Sequence, residues 1–198
     1  LFRHVLVLQG SGVGGGSLMY ANVLMQPSDK IFENPSWKHL ADWKKELFPH
    51  YDTARRMLGV TRNPRLFPAD HVIQEISSEL GTETTFHPTD VGVFFGEPGK
   101  EGVAYPDPYF GGEGPERFAC QYCGACMVGC RYNSKNTLPK NYLYLAEKWG
   151  AETLSESHVH DIRPLPEGQP DGARYEVIYS RTTAWLVKPE RKVRARNV

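Results

Sequence analysis

The sequence predicts a mixed fold, α/β passing into α+β, and three observations predict it. A short apolar run, His4 to Gln9, leads into a glycine-rich turn at residues 10–17. The middle of the chain carries stretches whose apolar residues recur at helical spacing. The last quarter holds three consecutive strand-like segments with short connections, the pattern of an antiparallel three-stranded meander.

His4-Val5-Leu6-Val7-Leu8-Gln9 is rich in β-branched residues and reads as a strand. Gly10 to Gly15 then satisfies G-x-G-x-x-G, with Gly16 and Ser17 behind it. A strand feeding such a turn brings backbone N–H groups against a phosphate, because a Cβ would block the approach or forbid the positive φ. A dinucleotide-binding βαβ unit closes within about 30 residues, on a second strand ending in an acid roughly 20 positions on. Leu18 to Met25 is apolar enough for a buried helix, but Asp29, the acid at a suitable distance, follows Gln26-Pro27-Ser28 without a strand. The unit does not close. The loop is expected to touch a ligand without being its primary nucleotide fingerprint; the alternative is a tight turn packed against a helix.

Composition narrows the classes. At 198 residues the chain is long enough for one large or two small domains. Lys+Arg and Asp+Glu both number 23, which gives no overall charge to attract nucleic acid or a membrane surface. No apolar stretch reaches the roughly 18 residues of a transmembrane segment, and no charged-then-apolar leader is present. The chain opens on Leu1 and stops at Val198 within a strand-like run, and is read as a fragment of a longer protein. Its four cysteines all fall at 120–130, which argues for a local site in a reducing, cytoplasmic setting rather than a disulfide framework.

Ser36 is a plausible cap for a helix with Trp37, Leu40, Ala41 and Leu47 on one stripe. Pro49 is expected to break it, leaving a second helix through Tyr51, Ala54, Met57 and Leu58 that stops at Gly59. Asp70 caps a third, with Val72, Ile73, Ile76 and Leu80 expected inward and Gly81 as its end. Thr84 to Phe95 reads as a strand interrupted at Pro88. Residues 96–117 carry six glycines and four prolines, a loop long enough to be a lid or binding segment. Thr137 to Gly150 is a helix with Pro139 in its first turn. Glu152 to Arg163, Ala173 to Arg181 and Thr183 to Arg194 are the three strands.

Cys120, Cys123, Cys126 and Cys130 have the spacing C-x2-C-x2-C-x3-C, the cysteine run of bacterial ferredoxins. Thiolates favour an iron–sulfur cluster or zinc over hard cations. Arg131 stands where the ferredoxin run has proline, and structural zinc sites usually pair two C-x2-C hooks across a longer spacer. The third reading is a glycine-rich turn with reduced, packed cysteines. His158 and His160 share one face of a strand, and the basic residues from Lys188 to Arg196 read as a solvated edge.

Taken together, the motifs resemble a known family. Val13-Gly14-Gly15-Gly16-Ser17-Leu18 followed by Pro27 resembles the second glycine motif of the glucose–methanol–choline (GMC) flavin oxidoreductases, in particular their cholesterol-oxidase-like bacterial branch. Cys123-Gly124, Cys126, Gly129-Cys130, then Lys135-Asn136-Thr137, Asn141-Tyr142-Leu143, Ala146 and Gly150-Ala151, resemble a stretch typical of that branch. The resemblance implies an interior segment of an FAD-binding flavoprotein fold with substrate-domain elements interleaved. Residues 1–35 would supply the strand, glycine loop and helix of the FAD domain, and 36–119 a helical substrate segment with its long loop. Residues 120–136 would be the cysteine loop, and 137–198 the return to the FAD domain.

On this resemblance Gly12, Val13, Gly14, Gly15, Gly16 and Ser17 contact FAD. Tyr20 stands where the family often has Asn, Asn22 is its substitute, and Val159 meets the adenine with His158 and His160 as flanks. The family's primary fingerprint would lie upstream and its catalytic His downstream, so no catalytic residue is assigned here. The implied function is oxidation of the CH–OH group of an alcohol or sterol by hydride transfer to flavin. The alternatives are a flavin dehydrogenase passing electrons through a cluster in the cysteine loop to an acceptor protein, and a metal-stabilised binding module without catalysis.

Overall fold

A computed structural model describes residues 3–5, 7 and 10–198. The opening strand expected at 4–9 falls partly on Leu6, Leu8 and Gln9, outside the described residues. The chain divides into two units, Leu1–Ala151 and Glu152–Val198.

In the first unit the glycine loop passes into one 3-10 turn, Gly15–Leu18. The buried helix expected through Met25 does not form. The backbone instead turns at Asn22 (φ 66°), and asparagine is among the few residues that tolerate this left-handed conformation. Beyond it Val23 bridges Val91, Leu24 N–H donates to Asp90 O, and Gly92 N–H donates to Asn22 O. Strand pairing has claimed the backbone groups a helix needs.

Helix α1, Asp29–Phe32, is a single turn whose Phe32 is buried. Helix α2 runs unbroken from Trp43 to Met57, with Pro49 inside it. This corrects the two-helix expectation. Asp42, not Ser36, caps the start, its Oδ1 accepting Lys45 N–H at 3.2 Å. Phe32, Phe48 and Tyr51 pack with ring centroids 6.2–6.4 Å apart on either side of the proline, a packing gain that offsets its missing N–H. Helix α3, Pro68–Glu79, has proline in its first turn, and Asp70 Oδ2 accepts Phe67 N–H at 2.8 Å. Its apolar residues Val72, Ile73, Ile76 and Leu80 were expected inward and are exposed; Ser77 is the buried residue of α3.

The expected strand over 84–95 shrinks to two residues. Glu83–Thr85 is a 3-10 turn, and strand β2, Asp90–Val91, pairs antiparallel with β1, Thr61–Arg62. Pro88, with no N–H to give a ladder, lies just before the paired residues. The long loop is pinned by a second antiparallel pair, β3 (Ala104–Tyr105) with β4 (Arg117–Phe118). At its tip the Asp107 carboxylate gathers the N–H groups of Tyr109, Phe110, Gly112 and Gly114. The helix expected from Thr137 is split at Asn141 into a 3-10 turn, Leu138–Lys140, and α4, Tyr142–Lys148; Asn141 Oδ1 accepts Tyr142 N–H at 2.6 Å.

The interior of this unit is unusually polar. Beside Phe32, Val91, Val93 and Ala119 it buries Arg117, Ser134, Lys135, Asn136, Thr137 and Asn141. The run at 134–137 connects by backbone bonds to residues 92–94, with Phe94 N–H donating to Ser134 O and Asn136 N–H to Gly92 O.

The second unit is the predicted meander. Strands β5 (Ser157–Pro164), β6 (Tyr175–Arg181) and β7 (Arg191–Ala195) lie antiparallel in that order around Ile178. A bulge interrupts β5 between Val159 and Asp161. Basic residues of β7 meet acids, Lys192 with Glu176 at 2.9 Å and Arg194 with Asp171 at 3.3 Å.

Candidate functional site

Six of the sequence-predicted ligand residues, Gly12 to Ser17, sit together on one loop held from behind by residues 136–139. Ser17 Oγ donates to Gly14 O at 2.7 Å and accepts Leu138 N–H at 2.9 Å. Gly14 has φ 104°, and a Cβ there would lie 2.6 Å from Pro139 Cδ. Gly14 is therefore required both by its dihedral and by close packing. Gly15 is also at positive φ (53°), yet a Cβ on Gly15 or Gly16 would meet nothing within 4 Å. The loop is anchored on one side and bare on the other.

Tyr20 pins this arrangement. Its Oη donates to Asn136 O at 2.7 Å, and burial pushes the phenol up to about 12, so it stays a hydrogen-bond donor across the physiological range. Asn136 Nδ2 donates to Gly59 O at 3.1 Å and to Tyr109 Oη at 3.2 Å. Asn136 Oδ1 and Asn141 Nδ2 are buried with no protein partner, a rare state for polar atoms and a mark of an incompletely satisfied site. Lys135 Nζ donates to Leu18 O at 3.1 Å and to Cys126 O at 2.8 Å, and lies 4.5 Å from the Tyr20 ring centre. The same short run thus ties the glycine loop, the cysteine loop and the long loop together.

Asn22 faces a cavity of about 430 Å³. Phe67, Val91, Val93, Phe95 and Tyr122 make its apolar wall, and Cys120, Cys123 and Cys126 line it from the cysteine loop. Phe95 stacks on Tyr122 at 5.6 Å, which fixes that aromatic side. Val159 belongs to the second unit, where it is exposed between His158 and His160, whose rings are 4.9 Å apart; His160 Nε2 lies 2.6 Å from Ser180 Oγ.

The cysteine run was expected to offer a metal or cluster site. Among the described residues no three or more of His, Cys, Asp and Glu are arranged to hold a metal ion. Cys120, Cys123, Cys126 and Cys130 do line one small cavity, of about 20 Å³, enough for a single water. Two of the sulfurs already hold backbone. Cys120 Sγ accepts Tyr122 N–H, and Cys130 Sγ accepts Ser134 and Lys135 N–H. The expectations of iron–sulfur and of zinc therefore find no support among the described residues.

Tyr20, Arg117, Asn136 and Lys140 escaped functional assignment in the sequence. Arg117 closes a long loop with no motif round it, and only the polar run Ser134 to Thr137 ahead of an apolar helix carried a signal that could have found the others.

No family model matches the chain, and no solved structure matches it. The chain is 49% identical over 199 aligned residues to a cholesterol oxidase of Acinetobacter baumannii, covering 100% of this chain and 36% of that protein. It is 48% identical over 191 residues to the cholesterol oxidase of Mycobacterium tuberculosis, strains CDC 1551 / Oshkosh and ATCC 25618 / H37Rv, covering 96% of this chain and 32% of theirs. The chain therefore spans about a third of the length of the curated relatives it matches. With identity near one half along essentially its whole length, the chain is similar to about a third of these cholesterol oxidases, the branch that its motifs resemble.

Proposed function

We propose that this chain supplies part of the cofactor and substrate framework of an FAD-dependent oxidoreductase acting on the CH–OH group of an alcohol or sterol. The observation that carries this reading is the glycine loop. It is clamped behind by Ser17, Pro139 and Leu138 and leaves Gly15 and Gly16 open, in a chain similar throughout to cholesterol oxidases. A backbone cradle without Cβ atoms fits a flavin dinucleotide, and the loop residues Gly12 to Ser17 would hold it by N–H groups. Asn22 would present its amide from the rim of the adjoining cavity, and Val159 would be the adenine contact that the family resemblance implies.

When bound, FAD supplies the acceptor for the hydride leaving the alcohol carbon. The chain's own part is binding and orientation. The apolar wall of the 430 Å³ cavity, within the size range of small-molecule sites, would take the hydrocarbon skeleton of the substrate and exclude water from it. No residue of this chain is assigned as the base that takes the alcohol proton. Residues 1–35 and 137–198 fall to the FAD side of this scheme and 36–119 to the substrate side, with 120–136 forming a packed thiol loop between them in sequence.

The test is made on the natural polypeptide that carries this chain. It should purify yellow, release FAD on denaturation, and bleach anaerobically on addition of cholesterol or a simpler secondary alcohol. Replacing Gly15 by valine should lower the bound flavin per chain at least tenfold. A colourless protein, or flavin content indifferent to Gly15→Val, overturns the reading.

A further inference from the structure

The cysteine loop is the motif that the proposed function leaves unused. Cys120, Cys123, Cys126 and Cys130 all border the same cavity of about 20 Å³, so four thiol residues meet around the space of a single water. All four are free of disulfides. No metal-holding arrangement among the described residues claims them.

The four are not equivalent. Cys120 Sγ accepts Tyr122 N–H at 3.3 Å, and burial pushes its thiol up. Cys130 Sγ accepts the N–H groups of Ser134 at 3.4 Å and of Lys135 at 3.5 Å. Burial would raise this thiol too, but the N–H groups of Lys135, Ser134 and Tyr132, together with the Lys140 charge, outweigh burial and hold it below the ordinary value. Cys130 also borders a wider cavity of about 470 Å³, shared with Lys140, through which a small oxidant can reach it.

Cys126 is the neighbour best placed to answer it. It opens the 3-10 turn Cys126–Val128, whose Met127 and Val128 are exposed, and its sulfur accepts no backbone N–H among the described residues. Both thiols lie within electrostatic reach of the Lys135 ammonium, which is bonded to Cys126 O at 2.8 Å. Between the two cysteines Gly129 has φ 99°, and a Cβ there would meet nothing within 4 Å, so the connecting backbone has room to adjust.

We propose that Cys130 and Cys126 form a peroxide-reactive pair, in which Cys130 is oxidised and Cys126 closes the disulfide. In the first step the Cys130 sulfur attacks a hydroperoxide. An S–O bond forms, the O–O bond breaks, and the leaving oxygen takes a proton from water. The sulfur has then given two electrons to the peroxide and stands as sulfenic acid. In the second step the Cys126 sulfur attacks it. The S–S bond forms, the S–O bond breaks, and the hydroxyl leaves as water with the Cys126 proton. In sum, two thiols and one hydroperoxide give a disulfide, an alcohol (water, for hydrogen peroxide) and water. Cys126 also lines the 430 Å³ cavity, so the bond would tie that wall to the segment after Cys130. The pair follows from the cysteine loop alone and does not require the flavoprotein reading.

The test uses the natural polypeptide that carries this chain, reduced, freed of reductant and given a small molar excess of hydrogen peroxide at pH 7. Remaining thiols are capped with N-ethylmaleimide, the disulfide is then reduced and marked with iodoacetamide, and the protein is digested with trypsin. All four cysteines fall in one tryptic peptide, residues 118–131. That peptide should carry iodoacetamide on Cys126 and Cys130 and maleimide on the other two. In Cys126→Ser, dimedone should trap sulfenic acid on Cys130, and Cys130→Ser should slow oxidation of the peptide at least tenfold. The parent measurement needs no variant, so it decides even if a substituted protein fails to fold. Four maleimides on the peptide, a link between another pair, or one iron or zinc per chain held by these thiols overturns the proposal. Flavin plays no part in the readout, so a polypeptide that carries no FAD would remove the flavoprotein reading and leave this result standing.

Discussion

Lys140 shows how a single buried charge can be costly to the fold. Burial depresses its ammonium to about 8, against roughly 10.4 for an unperturbed lysine. The folded chain therefore gives up this proton before the unfolded chain does. Below pH 8 the charged group costs stability, on the order of 3 kcal/mol, and the cost fades as pH rises from 8 towards 10.4. Lys140→Met should accordingly be more stable than the parent at pH 7, by about 1–2 kcal/mol after loss of its bond to Lys135 O. Urea melts at pH 7, 8, 9 and 10 check this, and a difference that stays flat with pH refutes it. Gly14 is the opposite case, since φ 104° and Pro139 at 2.6 Å both forbid a side chain. Gly14→Ala should cost at least about 2 kcal/mol, measured as a lower urea midpoint at unchanged slope. The glycines were legible because only glycine fits such dihedrals. Lys140 was not, because its meaning lies in having no acid near it in space, and residues far apart in sequence decide that.

At the level of elements, helical periodicity located α2 and α3 but misjudged where they stop and what they face. Pro49 reads as a breaker, yet α2 continues through it because Phe32 and Tyr51 pack with Phe48 next to it. The proline is exposed, so its ring clash and missing N–H remain a local cost while the aromatic cluster does the holding. Pro49→Ala should then stabilise the chain by about 2 kcal/mol, roughly 4–8 °C in Tm. A fall in Tm would mean that the proline sets the angle on which the ring cluster depends. The segment after the glycine loop failed for a different reason. Leu18 to Met25 is apolar enough for a helix, but its backbone is taken by residues 90–92 through long-range pairing that no local pattern reveals. The three strands of the second unit were legible because alternation and short turns are local signals, and their antiparallel order followed from the turns.

For the whole molecule the telling feature is a first unit that buries Arg117, Lys135 and Asn141 while leaving Leu80 71%, Trp149 78% and Val128 87% exposed. The family resemblance was readable from two motifs in order, whereas the polar interior that joins them was not, since it is assembled from four segments between residues 17 and 141. On the proposed reading, what the first unit would offer FAD is one glycine loop. Hydrogen bonds of this kind contribute about 1 kcal/mol each, and those to charged groups about 1.5–3. Binding at 1 μM requires roughly 8 kcal/mol net of the entropy of association, which a single loop does not reach. The chain, about a third of the length of its relatives, should therefore bind FAD more weakly than 1 μM. Quenching of flavin fluorescence in a titration of the 198-residue chain measures this. Sub-micromolar binding would show that the glycine loop forms the main cofactor cradle rather than its second contact.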